Sequence, residues 1–412
     1  MFNRHAKEIY TTAISKCLPT SAVQSALKEF CLPKGKLVAV AIGKAAWQMA
    51  STASEILGDS IDRGIVITKY GHSKGAIHGF EIMEAGHPVP DSNSLLATKK
   101  ALEITDGLCK DDAVLFLVSG GGSALFESID CSLEELQGLT KSLLASGASI
   151  NQVNAVRKHL SNVKGGRFAQ HVSPASVFVI ALSDVLGNDP DAIASGPACA
   201  DPTTVEQVNG ILSEYGITPS PEVYKLLQRE TPKTVTNSRH VISGSVSELC
   251  RFARESAQAL GYNAQIVTYL LSCQARTAGQ ILASVAKTHK DTSEPMAFIF
   301  GGETVVHLRG NGMGGRNQEL ALSAATEIEG MSNACVFAVG SDGTDGPTDA
   351  AGGFADGKTA SELRKLGIDP VAMLDNNDSY NALKDVNGLI FTGPTGTNVN
   401  DLYVVLIRPK EV

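Results

Sequence analysis

Three near-continuous apolar runs, at residues 36–42, 114–118 and 176–182, constrain the fold more than any other feature of the sequence. Strands with one wet face alternate apolar and polar residues, whereas unbroken apolar strands are buried on both faces, as in a parallel sheet covered by helices. The first run passes through Gly43 and Lys44 into a helical pattern at 45–57, which is a βα unit. Strands at 64–68 and 81–84 and helical patterns at 93–104, 133–144, 153–163, 203–212 and 221–229 extend the series. The fold class predicted is therefore α/β, with largely parallel or mixed sheets flanked by helices.

The polar, non-periodic stretch E-T-P-K-T-V-T-N-S at 230–238 is the expected linker, and strand and helix patterns resume at 240–243, 246–260, 264–269 and 275–289. Two domains follow: residues 1–235, Rossmann-like, and residues 236–412. Residues 4–30 are amphipathic, but Glu8 and Glu29 make them opening helices rather than a transit peptide.

A formal net charge of −8, with no basic stripe carrying interleaved aromatics, argues against a nucleic-acid partner. Any anion must be held by a local site. No apolar run is long enough to span a bilayer, so no membrane partner is expected. Eight scattered cysteines without a C-x-x-C pair, and no evident leader, point to a reducing compartment and a cytoplasmic location. Small molecules are the expected partners, and a homodimer is a possible assembly.

The stretch F-I-F-G-G-E-T-V-V-H-L-R-G-N-G-M-G-G-R-N-Q-E at 298–319 reads as strand, turn, a second strand over 304–309, a glycine-spaced anion loop and a helix opening near Asn317. A cation at a helix start opposes the macrodipole at a cost of about 0.3–1 kcal/mol. Arg316 is therefore expected to face a ligand anion, with Gly310, Gly312, Gly314 and Gly315 leaving backbone N–H groups free to approach it. The other account is a glycine-rich hairpin followed by a solvated arginine. Lys44 repeats the anomaly, although one such lysine can also snorkel to water.

Ser119, Gly120, Gly121, Gly122 and Ser123 close the second apolar run and predict a backbone nest for phosphate or carboxylate, or else a tight turn against a helix. The loop S-D-V-L-G-N-D-P-D at 183–191 carries Asp184, Asp189 and Asp191, which suit Mg²⁺ or, equally, turns and caps. Asp342 and Asp345, in the acidic loop at 340–349, are a second hard-cation candidate; no Glu closes an EF-hand there. His87, in G-H-P-V-P-D at 86–91, is either a polar site residue or a structural one. Arg157, Lys158 and Lys164 read as a solvated helix face ending at glycine. Glycine numbers 40 of 412 residues, and the excess over the usual ~7% gathers in these loops. Positioned phosphates, a divalent metal and cations are the requirements of phosphoryl transfer. No P-loop, G-x-G-x-x-G, H-E-x-x-H or G-x-S-x-G pattern occurs.

Nine collinear motifs resemble the glycerate 2-kinase family, whose C-terminal half is called MOFRL. They are A-I-G-K-A-A (41–46), E-A-G-H-P-V-P-D (84–91), S-G-G-G-S-A-L (119–125), N-A-V-R-K-H-L-S (154–161), K-G-G-R (164–167), S-D-V-L-G-N-D-P-D-A-I-A-S-G-P (183–197), G-G-R-N-Q-E-L-A-L (314–322), D-G-P-T-D-A-A-G (345–352) and T-G-P-T-G-T-N-V-N-D-L (392–402). The resemblance implies an ATP- and Mg²⁺-dependent kinase acting on the 2-hydroxyl of D-glycerate, with two α/β domains and a site in the cleft between them. It also implies that residues 236–412 are the MOFRL-type domain. Some relatives carry the label hydroxypyruvate reductase, and a non-catalytic sugar-acid binding protein is the third alternative. The family's important lysine and arginine match Lys44 and Arg316. Met313 stands where a basic residue is expected in many relatives.

The assignment that follows gives Lys44 and Arg316 the transferring phosphoryl group or the glycerate carboxylate. Residues 119–123 with Gly312, Gly314 and Gly315 cradle phosphates, and Glu303 and Asn317 complete the binding set. Asp184 or Asp189 orients the metal or accepts the hydroxyl proton, with Asp342 and Asp345 as alternative metal ligands.

Overall fold

The computed structural model describes every residue except 184, 188, 411 and 412. The chain divides into two compact units: an inserted unit, Ala22–Ser243, and a split unit made of Met1–Ser21 and Gly244–Val412. Among the described residues no helix is long and apolar enough to cross a membrane.

The inserted unit carries strands β1 (Leu37–Ile42), β2 (Arg63–Lys69), β3 (Phe80–Ala85), β4 (Ala113–Val118), β5 (Ser176–Leu182) and β6 (Ser238–Gly244) in the order β3-β2-β1-β4-β5-β6. The first five pair in parallel. This is the doubly wound Rossmann order, whose direction of winding reverses between β1 and β4. Alternation explains the unbroken apolar runs: Val38, Val40 and Ile42 enter one core with Val114, Phe116 and Val118, while Ala39 and Ala41 enter the other with Leu115 and Leu117. The helix Ala46–Leu57 supplies Met49 and Ala53 to the second face, and the helix Ser92–Thr105 supplies Ala97 and Ala101 to the first. Phe116, Phe126 and Phe168 cluster with ring centroids 4.8–5.8 Å apart. Each fully buried phenylalanine contributes roughly 1.5–3 kcal/mol.

The split unit carries β7 (Asn263–Leu271), β8 (Met296–Gly302), β9 (Ala334–Gly340), β10 (Gly352–Asp356), β11 (Leu389–Ile390) and β12 (Asp401–Ile407) in the order β11-β10-β9-β12-β8-β7. Only β7 and β8 run parallel; β12 lies antiparallel between β8 and β9, with all seven of its residues buried. The helices Ala275–Thr288 and Arg316–Glu327 pack against its sheet through Leu282, Leu320 and Ala324.

Three expectations change. The boundary expected near residue 235 falls after Ser243, because β6 is the last strand of the first sheet. The opening helix, Phe2–Lys16, belongs to the split unit, where it packs on the helix Val246–Ala259. Residues 304–309 are not a strand: only a single bridge, Val305 to Gln274, forms there, and Leu308 is exposed. Strands β10 and β11 and the helices Thr359–Lys365, Pro370–Asp375 and Ser379–Asp385 have no counterpart in the sequence reading.

Candidate functional site

In the inserted unit, β1 and β4 are neighbours in register, Ile42 beside Val118, so the loops that follow them emerge side by side at the strands' carboxyl ends. Gly43, at φ +111°, is required there: a Cβ would stand 2.3 Å from Ser119 Oγ. The Lys44 N–H donates to the Gly120 carbonyl at 2.9 Å, and the Ala45 N–H to Ser119 Oγ at 3.0 Å. Gly121, at φ +88°, lets two side chains in close; a Cβ would lie 2.9 Å from His87 Cδ2 and 3.4 Å from Lys44 Cγ. The two glycine loops thus form one joined platform, with Lys44 exposed at its edge.

This platform is electropositive. Lys44 precedes Ala45, the N-cap of a helix with no side-chain cap and no acid in its first turn. Burial, reinforced by Lys44, Lys69 and His72, holds the His87 imidazole below its ordinary value. A cationic edge beside an uncapped helix start is suited to an anion.

The floor is rigid. Ser123 and Ser195 share a hydrogen bond between their hydroxyls at 2.9 Å. Ala194, Ser195 and Gly196 are all left-handed, at φ +51°, +62° and +62°, a strain of order 1–3 kcal/mol for each non-glycine residue. The Gly165 and Gly166 N–H groups hold this turn through the carbonyls of Ser195 and Gly196, at 3.0 and 2.8 Å.

The solvated face expected for Arg157, Lys158 and Lys164 is instead paired, with Lys158 and Lys164 buried and Arg157 part-buried. Lys164 Nζ donates to Glu127 Oε2 at 2.7 Å, both side chains being fully buried, and Lys158 meets Asp191 at 2.9 Å and Asp201 at 3.4 Å. Arg157 donates from Nη2 to the Ser123 carbonyl at 3.0 Å. These carboxylates come from distant segments, which local spacing could not disclose.

Of the acidic candidates, Asp184 lies outside the described residues. Asp189 is exposed, with no side-chain hydrogen bond among the described residues, and Asp191 belongs to Lys158. Asp342 accepts the Thr344 N–H at 3.0 Å through one oxygen. Asp345 is a helix cap, accepting from the N–H groups of Asn317 at 3.1 Å and Gln318 at 2.8 Å. Its carboxyl is pushed up to about 7 by burial, against those two donors. Both oxygens being occupied, Asp345 is a poor metal ligand, contrary to expectation. Among the described residues, no three His, Cys, Asp or Glu side chains gather into an all-protein metal cage, which leaves a metal bound through one or two carboxylates and ligand oxygens.

In the split unit, Arg316 opens the helix Arg316–Glu327 as expected, but its guanidinium already has partners. Nε and Nη2 donate to Asp401 Oδ2 and Oδ1 at 2.5 and 3.1 Å, and Nη1 to Glu303 Oε1 at 2.8 Å. Five N–H donors on a guanidinium leave two beyond these, on a side chain one-third exposed.

The loop before it is not an open anion cradle. The N–H groups of Arg309 and Gly310 donate to Asn377 Oδ1, that of Gly312 to the Asn376 carbonyl and that of Met313 to Asp378 Oδ1. The glycines serve close packing: a Cβ would meet Asp378 Cβ at 2.4 Å from Gly312, Ser379 Oγ at 2.2 Å from Gly314 and Asp345 Cγ at 2.2 Å from Gly315. Asn317 is buried, donating to Asp345, and its Oδ1 has no partner among the described residues.

The domain of unknown function DUF4147 matches residues 5–228 and the MOFRL family matches residues 296–401. The D-glycerate 2-kinase of Thermotoga maritima is 53% identical over 408 residues, covering 98% of this chain and 97% of that protein. The chain belongs to the glycerate 2-kinase family. The glycerate 2-kinase of Pyrococcus horikoshii is 43% identical over 400 residues, 93% of this chain and 90% of its own. The crystal structure of glycerate kinase from Thermotoga maritima superposes with a TM-score of 0.95 at 52% identity, covering 98% of this chain and 99% of that one. Relatives carrying a hydroxypyruvate reductase name are less similar.

Within this glycerate 2-kinase scaffold, the motifs around 41–46, 84–91, 119–125 and 183–197 converge on one platform of the inserted unit, while those around 314–322, 345–352 and 392–402 converge on Arg316 and its helix cap. Asp401, Ser195 and Arg157 were missed as site residues. Asp401 lies 85 residues from Arg316 in sequence, and its only local mark is its place in the T-G-P-T-G-T-N-V-N-D-L stretch at 392–402.

Proposed function

We propose that this chain transfers the γ-phosphoryl group of ATP to the 2-hydroxyl of D-glycerate, releasing ADP and 2-phospho-D-glycerate. The observation that carries the proposal is the platform of Gly43 and Lys44 against residues 119–123, at the point of the sheet where winding reverses and open α/β sheets bind ligands. The names of the relatives support the same reaction. In the transfer, O2 of glycerate bonds to Pγ, the bond from Pγ to the β,γ-bridging oxygen breaks, and the hydroxyl proton leaves to a carboxylate. Asp189, exposed beside the strained turn, is the acceptor proposed; Asp184 is the alternative.

Lys44 meets phosphate charge as a mobile cation at the platform edge. Arg316 acts differently: Asp401 and Glu303 fix its plane, leaving two N–H donors to meet a phosphoryl or carboxylate oxygen without reorganisation. Asp189 or Asp342, whose carboxylates keep oxygens available, would hold Mg²⁺. When bound, the ion would neutralise phosphate charge. All eight cysteines are free thiols, which supports a cytoplasmic location.

Incubation with D-glycerate, ATP and Mg²⁺, followed by ³¹P NMR, tests the reaction and its regiochemistry. A 2-phosphomonoester signal is expected; a 3-phosphate, or NADH oxidation by hydroxypyruvate without ATP turnover, would overturn the proposal.

A further inference from the structure

A groove of about 590 Å³ opens in the inserted unit beside the platform. One wall is the turn Pro88, Val89 and Pro90; the other is the helix Leu133–Ala145, presenting Leu136, Leu144 and Ala145. Gln137 ties the walls together, its Nε2 donating to the Pro90 carbonyl at 2.9 Å. Val89 and Leu144, one from each wall, are each more than half exposed, so the groove presents apolar surface from both sides. Two cations also line it, Lys141 and Arg157; Arg157 Nη2 lies 4.0 Å from Glu127, and its Nε is buried without a hydrogen-bond partner among the described residues.

We infer that this groove receives the nucleoside moiety of the nucleotide substrate, so that the inserted unit binds ATP. The inference rests on the kinase reading. Apolar walls with two cations suit a ligand that is flat and apolar at one end and anionic at the other. A three-carbon hydroxy acid has no apolar surface to offer these walls. The groove is continuous with the platform at two residues: Arg157 also donates to the Ser123 carbonyl, and Pro88 follows His87, whose ring lies against Gly121. A base between the walls would therefore direct its phosphates toward Lys44 and residues 119–123. The volume lies within the ~300–1,000 Å³ usual for small-ligand pockets.

The test is calorimetric titration of the full chain with MgADP and, separately, with magnesium tripolyphosphate. Ala145→Trp is the principal variant, because Ala145 is exposed and the substitution fills the groove without changing charge. Leu144→Ser trims the same wall. Ala145→Trp should weaken ADP by about tenfold or more, leave tripolyphosphate unchanged, raise KM for ATP and spare KM for D-glycerate. Leu144→Ser should weaken ADP in the same sense. Unchanged ADP affinity in Ala145→Trp, or a rise in the D-glycerate KM instead, overturns the inference. If the wild-type chain makes no 2-phosphoglycerate yet loses ADP affinity on Ala145→Trp, the groove assignment stands and the kinase reading falls.

Discussion

Arg316 and Asp401 are joined by two hydrogen bonds, Nε to Oδ2 at 2.5 Å and Nη2 to Oδ1 at 3.1 Å, although 85 residues separate them. Asp401 is fully buried at the start of β12, and burial raises its carboxyl above the usual range even with the arginine beside it. Removing Arg316 therefore does more than remove a cation: it strands a buried carboxylate. Arg316→Ala should lose turnover and also about 3 kcal/mol of stability. Arg316→Ala with Asp401→Asn should recover much of the stability and none of the turnover, which denaturant melts and an ADP-release assay would separate.

Lys44 presents the opposite case. Its side chain is exposed, and it makes no ion pair among the described residues. Lys44→Ala should lower turnover by about a hundredfold or more while moving the melting temperature little. Near-normal turnover would remove Lys44 from the phosphoryl site.

The buried pair Lys164 and Glu127 bears on stability alone. Lys164→Met removes the nearer of the two cations at Glu127, leaving Arg157 Nη2 at 4.0 Å, and should cost about 3 kcal/mol, whereas Lys164→Met with Glu127→Leu should cost less. A double variant as unstable as the single one would show that the Ser161 and Phe126 contacts of the pair matter more than its charges.

Asp345 gives a pH dependence. Its folded value, about 7, exceeds the ordinary 3.8, so between those values the folded chain holds a proton that the unfolded chain has released. The contribution to stability is fully present below about 4 and is lost as pH rises through 7. Asp345→Asn keeps an acceptor for the helix cap and should flatten the decline in melting temperature between about pH 4 and 7. An unchanged decline would assign it to another group.

The inserted unit was largely legible because three of its strands, β1, β4 and β5, are unbroken apolar runs, a pattern set by burial on both faces. In the split unit, β10 begins Gly352-Gly353 and β11 has two residues, so neither run announces itself. The site was legible where a residue's oddness is local, as with Lys44 at a helix start. It was illegible where meaning depends on partners: the glycines at 310–315 suggested free N–H groups, and only the turn at 376–378 reveals where those groups are spent. Lys158 and Lys164 looked like surface charges for the same reason.

The opening helix has a consequence for synthesis. Phe2–Lys16 is completed by Tyr262, whose hydroxyl meets His5 Nδ1 at 2.9 Å across 257 residues, and Thr397 donates to the carbonyl of Cys17 across 380. On the ribosome this segment emerges long before its neighbours exist, with Ile9 and Ala13 unshielded meanwhile. Nascent chains halted ahead of Tyr262 should consequently be clients for chaperones, and those carried past it should be released.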